Sequence, residues 1–105
     1  MKQFWLIGAG ACASLISHGA EASVACTVLN NSVTETTVTL YAAPDAAAAP
    51  LRQVPSGDLV LYPQADLAPK QAAGWAWVRH DKTQRDIWQS GLYGWMPLEN
   101  LTDCG

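Results

Sequence analysis

Few side chains in this chain of 105 residues could do covalent or metal chemistry: three cysteines (Cys12, Cys26, Cys104), two histidines (His18, His80) and scattered hydroxyls. A structural zinc site wants four ligands at tetrahedral spacing, often beginning with a C-x-x-C pair. No such pair occurs here. A serine or cysteine nucleophile needs an oriented base beside it, and Ser32, Ser56 and Ser90 fall in no nucleophile motif. His80 stands beside Asp81 in a charged stretch and is expected to be a solvated loop residue. No glycine-rich phosphate loop is present. The expectation is therefore no enzyme, no metal and no cofactor. What remains conspicuous is aromatic: Trp75, Trp77, Trp88 and Trp95 crowd the last third of the chain, with Tyr41 well upstream.

Charge narrows the partners. The net charge is -3 and the six lysines and arginines are scattered. Nucleic acid is bound by neutralising phosphates with clustered cations, so no nucleic-acid partner is expected.

The first 22 residues differ from the rest. Lys2 is the only charge before Glu21, Phe4 to Ile16 is uniformly non-ionic and mostly apolar, and Ala20-Glu21-Ala22 has the small-x-small form of a cleavage site. This is the pattern of a secretory signal peptide. The apolar run is short for a bilayer, which takes about 20 residues, so no stable membrane span is expected after cleavage. The leucine expected three residues before a lipidated cysteine is missing ahead of Cys26. Residues 1–22 are thus assigned to the signal peptide and 23–105 to one domain, periplasmic or secreted. Cleavage removes Cys12 and His18. The two cysteines left in an exported chain, Cys26 and Cys104, are expected to form one disulfide that closes nearly the whole domain.

The elements that must position the aromatics read as short strands. "ACTVLNNSV" opens as a strand and meets turn residues at Asn30-Asn31-Ser32. In "TETTVTLYA", Val38 and Leu40 alternate with Thr37, Thr39 and Tyr41, a half-buried strand pattern. "APDAAAAPLRQ" reads as a loop because two prolines bracket its alanines too closely for a helix. "VPSGDLVLYP" gives a turn and a strand over 58–62, followed by a second loop. "WAWVRH" is a strand, "DKTQRD" a hairpin tip and "IWQSGLYGWM" the returning strand. About five short strands between Gly and Pro turns make a small all-β barrel or sandwich.

Four stretches in this order resemble the bacterial Src-homology-3 family: "TLYAAPD", "VPSGDLV", "GWAWV" and "GWMPLENL". The resemblance covers about Val38 to Leu101 and implies a small Src-homology-3-like β-barrel. It departs from the family in two respects. The hairpin tip between Val78 and Gly94 is enlarged, and Asn100 stands where eukaryotic relatives carry a ligand-contacting tyrosine after the proline.

Alternation within strands puts Ala76 and Val78 inward with Trp75, Trp77 and Arg79 outward. It likewise puts Met96 inward with Trp95 and Pro97 outward; Trp88 has no assigned face. Two readings of the tryptophans stay open. In one, Tyr41, Trp75, Trp95 and Pro97 line a groove that binds cell-wall peptide or an envelope protein, as the resemblance implies. In the other, the long loops bury them as a satellite core, the commoner use of large aromatics. A rival role also stands: an interaction or inhibitor protein acting on an envelope enzyme through its enlarged hairpin (residues 79–90).

Overall fold

The structure, a computed structural model, describes residues 23–64, 68–69 and 71–105. The expected signal peptide, residues 1–22, lies outside the described residues. Seven strands follow one another: β1 (Val24–Val28), β2 (Thr37–Tyr41), β3 (Pro50–Pro55), β4 (Leu59–Tyr62), β5 (Trp75–His80), β6 (Leu92–Pro97) and β7 (Leu101–Thr102). A single 3-10 turn, Leu98–Asn100, links the last two, and the described residues contain no α-helix. No helix among them is long and apolar enough to cross a membrane.

All strand pairs are antiparallel, and the sheet runs β3-β2-β6-β5-β4-β1-β7. One connection dictates its shape. β3 and β4 stand four places apart in that order, a distance of about 19 Å in a flat sheet. The chain joins them in the four steps from Pro55 to Leu59, which reach at most about 14 Å. The sheet must therefore coil until its first and fifth strands approach. The concave side of that coil is the core, where Val28, Leu40, Val54, Val60, Val78 and Met96 are fully buried, one from each of the first six strands. Leu40 and Val78 follow the alternation of their strands, buried between half-buried neighbours.

The coil stops short of closure. β3 and β7, the two edges, are not hydrogen-bonded to each other, so the expected closed barrel of about five strands is corrected to an open sheet of seven. The edges explain this. β3 begins and ends with a proline, which has no N–H to give a ladder, and β7 has only two residues. β3 also takes up part of a stretch whose prolines predict a loop. An edge strand accepts Pro50 at its first position, where a central strand would not.

A second correction concerns His80, expected to be solvated. It is the last residue of β5, faces the interior with Ala76 and Val78, and is 1% exposed. Its Nε2 lies 2.8 Å from Asp58 Oδ2. Arg52 Nη1 lies 3.2 Å from its Nδ1 and donates to its carbonyl oxygen at 3.0 Å. A guanidinium only donates, so Nδ1 is the acceptor and the ring proton sits on Nε2, directed at Asp58. Three strand neighbourhoods are thereby joined across the inside of the coil: β3 through Arg52, β5 through His80 and the start of β4 through Asp58. Sequence adjacency to Asp81 suggests a solvated tip; strand parity, which puts residues 76, 78 and 80 on one face, decides otherwise.

The glycines around β6 also have steric causes. A Cβ on Gly94 would come within 2.6 Å of Leu40 Cγ and 3.0 Å of the Tyr41 carbonyl. Gly91 has φ +131°, and a Cβ there would meet the His80 carbonyl oxygen at 2.7 Å. Finally, Cys26 of β1 and Cys104 beyond β7 are joined by a disulfide, their Cα atoms 4.1 Å apart across a sequence separation of 78.

Two outcomes are expected. The unfolded, unreduced protein shows no titratable thiol from Cys26 and Cys104, and reduction removes about 4 to 5 kcal/mol of stability on the chain-entropy account. Two titrating thiols before reduction would contradict the first. Gly94→Ala lowers the urea midpoint by the equivalent of at least about 1 kcal/mol, as overpacking a tight core does; an unchanged midpoint would show that Leu40 simply moves aside.

Candidate functional site

The end residues of three strands meet at one end of the coil. Tyr41 is the last residue of β2, Trp75 the first of β5 and Pro97 the last of β6. The ladder sets Trp75 opposite Pro97 and Tyr41 opposite Trp95. The rings of Tyr41 and Trp75 stand edge to face, with centroids 5.6 Å apart and planes at 81°. Around this corner opens a depression of about 580 Å³, walled by Tyr41, Trp75 and Pro97 together with Gly74, Leu98 and Glu99. The Leu98 N–H donates to the Gly74 carbonyl at 2.9 Å, which ties the 3-10 turn to the start of β5 and fixes the far wall. Three of the four residues expected to form a groove are thus brought together.

Trp95 is not among them. Alternation predicts it on the outer side of the sheet, and there it lies, yet it is only 7% exposed. The reason is its neighbours. Trp77 lies directly across the ladder with its ring 5.4 Å away, and Trp77 stacks in turn on Tyr93 at 5.2 Å with planes 6° apart. Arg79 covers the Tyr93 ring, its guanidinium carbon 5.1 Å from the centroid, a cation–π contact. Parity assigns the side of the sheet correctly, but it says nothing of what covers that side. The outer aromatics therefore divide in two: Trp77, backed by Tyr93 and Arg79, covers Trp95, with Tyr93 itself 37% exposed, while Tyr41 and Trp75 border the open depression.

At the opposite end of β5, about 17 Å from Trp75, the β5–β6 connection runs from 81 to 91. The returning strand expected from residue 87 is shorter than its sequence suggests, since β6 begins only at Leu92. Asp81 organises this loop. Its carboxylate accepts from Thr83 N (2.9 Å), Thr83 Oγ1 (2.7 Å), Asp86 N (3.0 Å) and Ser90 Oγ (3.1 Å). The Asp86 and Thr83 bonds foremost hold its carboxyl far below the usual carboxylate range. Gln84, in the left-handed region at φ 59°, uses its side-chain amide as a strand would. It accepts from Leu59 N at 2.6 Å and donates to Leu59 O at 2.9 Å. Arg79 donates twice to the Ile87 carbonyl, at 2.8 and 2.6 Å. Trp88, unassigned by the sequence, projects from this fixed loop at 54% exposed.

Sequence reasoning missed Glu99 as a wall of the depression. The signal was its place two residues after Pro97, in a turn that must double back toward Gly74. Asn100, which departs from the family pattern, is structural. Its Nδ2 donates to the Leu29 carbonyl at 3.0 Å, and its own carbonyl accepts from Leu29 N at 2.8 Å. Among the described residues no group of three or more His, Cys, Asp or Glu is gathered to hold a metal ion. Comparison with protein-family models, with curated proteins and with solved structures finds no match for this chain.

Two measurements follow from this geometry. Trp95→Ala costs about 3 to 5 kcal/mol, as deletion of a buried aromatic does. Trp75→Ala costs about 1 kcal/mol, the value of one edge-to-face partner; equal losses in urea titration would refute the division into covered and open aromatics. The Asp81 carboxylate is depressed in the folded state, so its stabilising effect is complete above about pH 4, where the unfolded aspartate is ionised. It is lost as pH falls toward the folded value. Asp81→Asn is therefore expected to speed amide exchange at Thr83 and Asp86 at neutral pH, and that difference from wild type shrinks in strong acid.

Proposed function

We propose that the chain is an exported binding module of the bacterial Src-homology-3 type, whose depression at Tyr41, Trp75 and Pro97 receives a cell-wall peptide or an envelope protein. The observation that carries this reading is the corner itself. Two half-buried aromatics and a proline, at the ends of three different strands, are left facing a concave apolar space, while the Trp95 beside them is covered by Trp77. Rigid aromatic and proline walls suit an extended peptide, which brings its own backbone already stretched. Three of the four stretches that resemble the family contribute these residues, and the 3-10 turn after Pro97 supplies the far wall. A disulfide between Cys26 and Cys104 supports an exported life in the periplasm or outside the cell. This reading is one of binding rather than catalysis, and His80 is committed to Arg52 and Asp58 at both ring nitrogens.

A second reading has its own support. Trp88 stands out from a loop fixed by Asp81 and Gln84, and a rigid exposed tryptophan is a common anchor at protein interfaces. In that reading residues 79–90 insert into an envelope enzyme.

The two sites lie at opposite ends of β5, so one assay separates them. The purified domain is expected to be retained on peptidoglycan, with retention lost in Trp75→Ala and kept in Trp88→Ala. Absence of retention by the wild type, or loss only in Trp88→Ala, would overturn the module reading.

A further inference from the structure

We infer that the ligand of this depression carries an ammonium group, seated in the corner between Tyr41 and Trp75 with Glu99 as its counter-ion. The inference rests on the binding-module reading and adds the charge and shape of the group bound. Two aromatic planes at 81° with centroids 5.6 Å apart form a corner rather than a slot. A flat group such as a guanidinium can stack on only one such wall. A compact, roughly spherical cation can lie against both and collect the attraction of two ring systems.

Among the described residues, the charge in the wall has one sign. Glu99 is the one carboxylate in the wall, it is exposed, and no hydrogen bond or ion pair engages it among the described residues. Ala46, also in the wall, is flanked by Asp45, whose carboxylate is turned to the Ala47 N–H at 2.9 Å. Among the described residues no lysine or arginine belongs to the wall. The two arginines of β3 and β5 are committed elsewhere, Arg52 to His80 and Arg79 to Ile87 and Tyr93. An unpartnered carboxylate beside two aromatic walls, with apolar surface between, is complementary to an amine and repels an anionic ligand. The free amino groups of a wall peptide, or a lysine side chain of a partner, belong to this class; a carboxylate or phosphate does not.

The test compares choline with its uncharged isostere 3,3-dimethylbutan-1-ol, following the Trp75 indole N–H signal by NMR. Choline is expected to shift that signal saturably and to bind at least about fivefold more tightly than the alcohol. Glu99→Gln should weaken choline by about fivefold and leave the alcohol unchanged. Equal affinities, no saturable choline shift, or indifference to Glu99→Gln would overturn the inference. A parallel measurement keeps it distinct from the reading beneath it. Peptidoglycan with its amines acetylated should lose the domain. Retention that still depends on Trp75 but survives acetylation would remove the ammonium and leave the module standing. Retention that ignores Trp75 removes both.

Discussion

The connection from Pro55 to Leu59 carries the chain from the first strand of the sheet to the fifth in four steps, and the rest of the fold is built around that short reach. A longer loop would have allowed a flatter sheet with one face exposed to water. Here the sheet has to coil, and coiling converts a single layer into something with an inside. The interior is narrow. Each of the first six strands contributes at least one fully buried side chain no larger than leucine or methionine to its centre, and no tryptophan is fully buried there. The aromatics of β5 and β6 are consequently placed on the outer side, where they must either cover one another or stay open to solvent.

A coil that does not close needs something other than a ladder to hold its seam. A ladder between β3 and β7 cannot do it, because β3 is bounded by prolines and β7 is two residues long. Side chains and turns do it instead. Arg52, His80 and Asp58 join β3, β5 and the start of β4 from within. The turn after β3 is pinned to the end of β1 by Gly57 N–H to the Val28 carbonyl at 2.7 Å and Val28 N–H to the Asp58 carbonyl at 2.8 Å. Gln84 supplies Leu59 with the partner that β5, paired with β4 at Leu61 and Arg79 alone, does not. The disulfide then holds β1 to the chain segment beyond β7. Buried polar groups of this kind stabilise only when every member is satisfied, and His80 meets that condition at both ring nitrogens.

Much of this was legible in the sequence and some was not, for physical reasons that differ by element. β2 and β5 were legible because strict alternation of Val38 and Leu40, or of Ala76 and Val78, with outward residues has no other good explanation at strand length. β3 was not, because Pro50 marks a loop, a turn or the first position of an edge strand equally well, and the sequence does not say which strand is an edge. His80 is misleading because its charged neighbour in sequence, Asp81, suggests solvent, whereas strand parity turns it inward, where Arg52 and Asp58 engage its ring nitrogens. For Trp95 the side of the sheet was legible and the burial was not. Burial depended on Trp77 leaning across the ladder and on Tyr93 and Arg79 backing Trp77, a cluster spanning two strands. Of the candidate groove, Tyr41, Trp75 and Pro97 could be found from the motifs. For Glu99 the sequence offered only its place two residues after Pro97, since its role depends on the direction in which a three-residue turn folds back.

The location of the open corner follows from how little core this domain has. A residue near the middle of a strand has neighbours on both sides along its own chain and on the adjacent strands, so its loss disturbs the ladder and the packing together. Tyr41, Trp75 and Pro97 are each the terminal residue of a strand. Their backbones are held by the ladder on one side, but their side chains extend past it, where no further strand covers them. The group of Trp77, Tyr93 and Trp95 lies inward along β5 and β6 and lines no part of the depression. A narrow-cored domain can thus present two large aromatics at strand ends without drawing on the side chains that keep it folded, because on β5 and β6 the group that stabilises the outer face lies two residues further in.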